Sequence, residues 1–148
     1  LKPYAEDFGQ RQGDIGVVAT IQDGIAVGAA WVRVFSTGGG LGTATAHLPP
    51  SLEELKHWPE LAIAVVPEHR GHGIGSFLLR LLLDKIRQEA PHYPGICLSC
   101  REENQAMKLY ERTGFIKVPG SEQTNRTGGT SITMRLLFGD AKQLEQHE

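Results

Sequence analysis

Residues 65–76 read Val65-Val66-Pro67-Glu68-His69-Arg70-Gly71-His72-Gly73-Ile74-Gly75-Ser76, an apolar strand end followed by a proline and three alternating glycines. Residues without a Cβ let successive backbone N–H groups converge on an anion and tolerate positive φ. A helix that begins straight after such a turn adds its own unpaired N–H groups and the positive end of its dipole. The dipole contributes only about 0.3–1 kcal/mol per favourable charge, so several N–H bonds to a diphosphate outweigh it. The chemistry written at Arg70, Gly71, His72, Gly73, Ile74, Gly75 and Ser76 is therefore anion binding, the other reading being a glycine turn shaped only by packing. It is not a Walker A loop, because Gly75-Ser76 is preceded by Ile74 and no lysine. Nor is it the dinucleotide fingerprint Gly-x-Gly-x-x-Gly, which finds Ser76 and Leu78 where glycine is required.

A second stretch carries a titratable side chain. In Asn104-Gln105-Ala106-Met107-Lys108-Leu109-Tyr110-Glu111-Arg112-Thr113-Gly114-Phe115, Ala106 and Tyr110 stand one turn apart on one helix face. A phenol with a pKa about 10 holds its proton at neutral pH. Taken alone, Tyr110 reads first as an amphipathic core residue with its hydroxyl at the surface, and only beside the glycine turn as a proton donor.

Arg70-x-x-Gly73-x-Gly75 resembles the Arg/Gln-x-x-Gly-x-Gly/Ala motif of the GNAT family of N-acetyltransferases. The second stretch resembles that family's Asn-x-x-Ala/Met-x-x-Leu-Tyr-x-x-x-Gly-Phe helix. The likeness is strong over residues 60–138 and fair over 14–35, where "DGIAVGAAWVRVF" resembles the family's central hairpin. It implies acetyl-CoA as donor, an amine of a small molecule or protein as acceptor, and direct sequential transfer without a covalent enzyme intermediate. It implies that residues 70–76 wrap the CoA pyrophosphate, while the Arg70 side chain chiefly pins the loop. Ile63, Ala64 and Val65 would pair with the pantetheine, and an N–H near Val65 would stabilise the oxyanion, a task worth ~3–4 kcal/mol in other acyl transfers. Asn104 would bond the CoA arm and Tyr110 would protonate the leaving thiolate.

The amine must be neutral to attack. A lysine amine with pKa about 10.4 faces ~4–5 kcal/mol at pH 7, an α-amine near 8 only ~1–1.5 kcal/mol. Glu60, at the mouth of the preceding strand, stands close to where some family members carry a glutamate base. A plain surface carboxylate is the other reading of the same residue. Two further readings of the whole remain: a non-catalytic CoA-binding module of the same fold, and a nucleotide-binding domain.

The elements that must position these residues follow from periodicity. Residues 16–21 and 25–35 are apolar, β-branched runs joined by Asp23-Gly24, a strong hairpin signal. Residues 36–50 read as a loop, and 51–57 as a helical turn with Ser51 as N-cap and Glu54 as its capping partner. The near-continuous apolar run 61–66 predicts a strand buried on both faces. A helix is expected over 75–89, with Ile74, Phe77, Leu78, Leu81, Leu82 and Ile86 on its buried face. Residues 96–100 predict a strand, 103–113 a helix ended by Gly114, and 115–118 with 131–138 a final hairpin in which Ile132, Met134, Leu136 and Phe138 face inward. The fold class is α/β, a mixed, mostly antiparallel sheet flanked by helices. Residues 1–13 are expected to be the remnant of an N-terminal helical region, 14–138 the acetyltransferase domain and 139–148 a frayed polar tail.

Composition sets the outer bounds. A chain of 148 residues, 40% hydrophobic and 22% charged, can bury a core without staples. Fifteen basic against 17 acidic residues leave no footprint for nucleic acid. The longest apolar run, 61–67, is too short to span a bilayer. Cys97 and Cys100 lie in a predicted strand, where i and i+3 face opposite ways, and no second ligand pair follows. They read as two buried thiols, not a metal site, and a reducing cytoplasm is the expected setting. His69 and His72 read as exposed loop residues. A homodimer is compatible with this reading.

Overall fold

Asp23 and Gly24 both adopt positive φ, 73° and 76°, in the computed structural model of the chain. Aspartate and glycine tolerate that region better than other residues, and the chain reverses there with Ile21 N–H on the Ile25 carbonyl at 2.9 Å. The turn joins β1 (Ile15–Thr20) to β2 (Ala26–Val34). They pair antiparallel from Ile15↔Val32 to Ala19↔Gly28, with a register shift before Thr20↔Ala26. Residues 9, 13–35, 54–124 and 128–138 are described. Ser51, the loop 36–50, the tail 139–148 and all of 1–13 but Gly9 and Gly13 lie outside them.

The remaining elements in chain order are β3 (Pro59–Val65), α1 (Ile74–Glu89), β4 (Gly95–Arg101), α2 (Ala106–Thr113), β5 (Ile116–Lys117), β6 (Gln123–Thr124) and β7 (Thr130–Leu137). Among the described residues, seven strands and two α-helices make a mixed α/β fold, as expected from the order of patterns. The chain divides into two compact units, Leu1–Val34 with Leu61–Tyr93, and Phe35–Glu60 with Pro94–Glu148.

In the first unit α1 packs on β1 and β2. Its buried residues are Leu78, Leu79, Leu82, Leu83 and Ile86, whereas Phe77 and Leu81 stay 56% and 39% exposed. The expected face is therefore corrected: Leu79 and Leu83 replace Phe77 and Leu81. Large apolar residues at 77–79 and 81–83 create two overlapping stripes of period 3.6, and periodicity cannot choose between them. Gly28 takes part in the choice. A Cβ there would lie 3.0 Å from Leu78 Cδ1 and 3.4 Å from Ile74 Cγ2, so glycine lets this side of the helix settle onto β2. Lys85 Nζ also donates to the Gly16 carbonyl at 3.0 Å. Where β1 begins and β2 ends, buried Arg33 donates through Nε and one terminal nitrogen to the Asp14 carboxylate, both at 2.9 Å. Breaking such a buried pair typically costs about 3–5 kcal/mol.

In the second unit β4 pairs antiparallel with β7 from Gly95↔Leu137 to Arg101↔Ser131. A Cβ at Gly95 would collide with the Leu136 carbonyl and the Trp58 ring, so only glycine fits that crossing. β5 pairs with β7 at Ile116↔Arg135 and Lys117↔Met134. β6 adds Gln123↔Ser131. Two exposed polar residues carry no period, which is why β6 is invisible in the sequence. Ile132, Met134, Leu136 and Phe138 are buried while Leu137 is not, as the alternation predicts, but Thr133 on the opposite face is buried too. The turn Glu54–His57 is a 3-10 helix that buries Leu55 against Cys97, Val118 and Trp58. No helix among the described residues is long and apolar enough to cross a membrane.

Candidate active site

The glycine turn forms as a backbone requirement and not as a packing one. Gly71 and Gly73 have φ of 82° and 79°, a region in which any L side chain is strained. A Cβ added at either would meet nothing within 4 Å. The space over both glycines is open. Gly73 is the N-cap of α1 and supplies no side-chain cap, and the first turn holds no acidic residue. The first intrahelical bond runs from Phe77 N–H to the Gly73 carbonyl at 3.0 Å. The N–H groups of Ile74, Gly75 and Ser76 thus open the helix with no acceptor in their own ladder. His72 is exposed and His69 half-buried, a small departure from two exposed histidines.

The strand leading into the turn differs from its expected two-sided burial. Leu61 and Ala62 are buried, but Ala64 and Val66 are exposed. Apolar content alone cannot report this, because an apolar strand end is written the same way whether protein or something else covers it. Val66 N–H donates to the Val27 carbonyl of β2 at 2.9 Å. Peptide directions alternate along extended chain, so the N–H and carbonyl of Val65 point away from β2. Arg70 Nε donates to that Val65 carbonyl at 3.0 Å. The guanidinium folds the loop back onto the strand, the pinning expected of it. Residues 63–76 therefore form one continuous strand–turn–helix within the first unit.

Tyr110 lies in the second unit on α2, which begins at Ala106 and not at 103. The reason is Asn104. Its Oδ1 accepts from Ala106 N–H at 2.8 Å and its carbonyl accepts from Met107 N–H at 3.1 Å, so the helix starts behind it. At the other end Gly114 takes φ 114°. Gly114 N–H reaches the Glu111 carbonyl at 3.1 Å and Phe115 N–H the Tyr110 carbonyl at 3.0 Å. These are the paired bonds of a Schellman ending. Tyr110 is only 7% exposed, and burial, followed by the Cys100 thiol beside it, pushes its pKa up to about 12. It holds its proton throughout the neutral range. That burial agrees with the reading of Tyr110 as a packed core residue.

Glu60 is 2% exposed, which overturns the plain surface carboxylate. It pairs with Cys97 in the parallel register of β3 and β4. Cys97 is buried and its Sγ donates to the Pro59 carbonyl at 3.6 Å. Burial first, and the Glu60 charge second, raise the Cys97 thiol well above its ordinary value. Cys100 is raised by burial and by Glu103. Both thiols are free and buried, as the strand reading predicts, and neither carries the lowered pKa of a nucleophile. Two features escape the sequence reading: the capping oxygen of Asn104, and Phe115 as the residue packed on Tyr110. A tyrosine followed at i+4 and i+5 by Gly-Phe is the signal that encodes the second.

A family model described as "Acetyltransferase (GNAT) family" matches residues 3–115. N-alpha-acetyltransferase 30 of Saccharomyces cerevisiae is 40% identical over 57 residues, 38% of this chain and 31% of that protein, so the match spans under a third of the relative. Among solved structures, an acetyltransferase of the GNAT family from Streptococcus pneumoniae aligns with a TM-score of 0.67 at 17% identity, covering 88% of this chain and 70% of that one. The ribosomal-protein-S18-alanine N-acetyltransferase from Escherichia coli aligns with a TM-score of 0.60 at 20% identity, covering 86% and 71%. At such identities the structural likeness is one of fold.

Proposed function

Because the chain belongs to the acetyltransferase (GNAT) family, we propose that it transfers an acetyl group from acetyl-CoA to a primary amine by direct sequential transfer. One observation carries the donor. Gly71 and Gly73, both at positive φ, face open space before a helix whose first N–H groups are uncapped and uncompensated by acid. Such a turn supports a diphosphate held by backbone donors, with Arg70 fixing the loop from the side.

In this proposal the Val65 N–H, directed away from β2, is the donor for charge developing on the thioester oxygen. Tyr110, protonated well beyond neutral pH, supplies the proton to the leaving thiolate. Glu60 serves as base through water, and the attacking amine takes the acetyl group directly. Similarity to an N-alpha-acetyltransferase supports an α-amine of a protein as the acceptor to try first. Its lower pKa, near 8, also asks less of a base than a lysine does.

The test has two stages. CoA at millimolar concentration should raise the melting temperature by mass action on the folded state, while ATP and NAD should not. Acetyl-CoA turnover is then followed as thiol release against peptides with free N-termini, polyamines and lysine side chains. Protection by CoA without thiol release would leave a non-catalytic CoA-binding module. Protection by ATP or NAD alone would overturn the assignment.

A further inference from the structure

Asn104 is the residue whose role the geometry changes. An amide at the entrance to α2 could serve as a donor to the CoA arm through Nδ2. What it does within the fold involves its other atom. Oδ1 accepts from Ala106 N–H at 2.8 Å, the Asn104 carbonyl accepts from Met107 N–H at 3.1 Å, and Asn104 N–H itself donates to the Arg101 carbonyl at 3.0 Å. Three bonds tie one residue to the last strand residue of β4 and to the first turn of α2.

Packing holds that turn through Met107, which is buried. The helix is eight residues long, its assigned N-cap Gln105 makes no side-chain cap, and its first turn has no acidic residue. A helix this short cannot persist on propensity, so the burial of Met107 and Tyr110 and the closure of its two ends together keep it wound. The C-terminal end is closed by Gly114 and Phe115, both bonded to the Tyr110 carbonyl. The N-terminal end is closed by Asn104.

We propose that Asn104 is a positioning residue, whose side-chain oxygen caps α2 and thereby holds the Tyr110 hydroxyl where the reaction needs it. This rests on the reading of Tyr110 as the acid. A ligand contact and a cap demand different atoms, which makes the two roles separable. Serine and aspartate keep a capping oxygen and lack the amide donor; alanine lacks both.

The experiment compares Asn104→Ala, Asn104→Ser and Asn104→Asp in the full chain. Hydrogen exchange at the α2 amides reads the cap, and kcat is separated from the KM for acetyl-CoA. Alanine should speed exchange at Ala106 and Met107 and lower kcat by about 10- to 10²-fold, with KM changing less than about twofold. Serine and aspartate should restore slow exchange and recover most of the lost kcat. If all three variants raise the KM for acetyl-CoA alike, Asn104 is a ligand donor and the proposal fails. It fails equally if alanine leaves α2 exchange unchanged, or loosens α2 without affecting kcat. Failure of the acid reading shows separately, as a Tyr110→Phe variant with undiminished kcat, and the exchange arm needs no turnover.

Discussion

Phe115 meets the ring of Tyr110 edge-on, centroids 5.7 Å apart and planes at 63°, while its N–H bonds the Tyr110 carbonyl at 3.0 Å. Backbone bond and ring contact belong to one Schellman ending, which favours a glycine between helix and aromatic. Gly114, at φ 114°, is that glycine. Gly114→Ala should destabilise the chain by about 1–2 kcal/mol, the cost of a Cβ in left-handed backbone. It should also lower kcat more than it changes acetyl-CoA affinity, because the misplaced element carries Tyr110. Urea denaturation and steady-state kinetics check the two halves.

Removing only the hydroxyl isolates its chemistry. Tyr110→Phe keeps the ring against Phe115 and should cut kcat by about 10²–10⁴-fold with donor affinity nearly unchanged. An acyl donor with a better leaving group should shrink the loss. Retention of more than about half the kcat, with chemistry rate-limiting, would make Tyr110 a packing residue.

At the anion site the prediction is steric. A branched side chain at Gly73 must adopt positive φ and projects into the open space over the turn. Gly73→Val should lose the thermal shift caused by CoA while its circular dichroism stays that of a folded domain. Wild-type affinity in this variant would move the diphosphate site elsewhere.

For Glu60 the discriminating variable is the acceptor. Glu60→Gln removes the carboxylate at nearly constant volume. If it relays protons, kcat/KM should fall further for acceptors with pKa about 10.4 than for those near 8, since their deprotonation costs more. Equal losses on both would assign Glu60 to structure.

Stability should fall on the alkaline side. Cys97, Cys100 and Tyr110 all have folded-state pKa values raised by burial, Tyr110 to about 12. Each is neutral when protonated, so the unfolded chain ionises first. The stability they contribute is complete below the unfolded thiol pKa of about 8.5 and drains away as pH rises through the folded values. Urea midpoints should hold steady between pH 7 and 8 and drop by pH 10. Cys97→Ala should flatten that drop; an unchanged slope would show that Cys97 ionises freely in the fold.

Several features were decided locally and were therefore legible in the chain. Asp23-Gly24 could turn, and Gly71 and Gly73 could enter the left-handed region, because these residues tolerate positive φ. Gly114 had to end a helix. These depend on backbone preferences within a few residues. Other features are relations between distant residues. Two leucine stripes on α1 satisfy the same period, and only docking on β2, where Gly28 leaves room for Leu78, selects one. Glu60 reads as surface by type, and only its place opposite Cys97 buries it. The open end of the Leu61–Val66 run is spelled with the residues of a covered strand. Asn104 and Phe115 become supports of Tyr110 only once α2 is wound, because a cap and a ring contact exist in the coiled chain and not in its order. Sequence records which conformations a segment can adopt; packing chooses among those it permits equally.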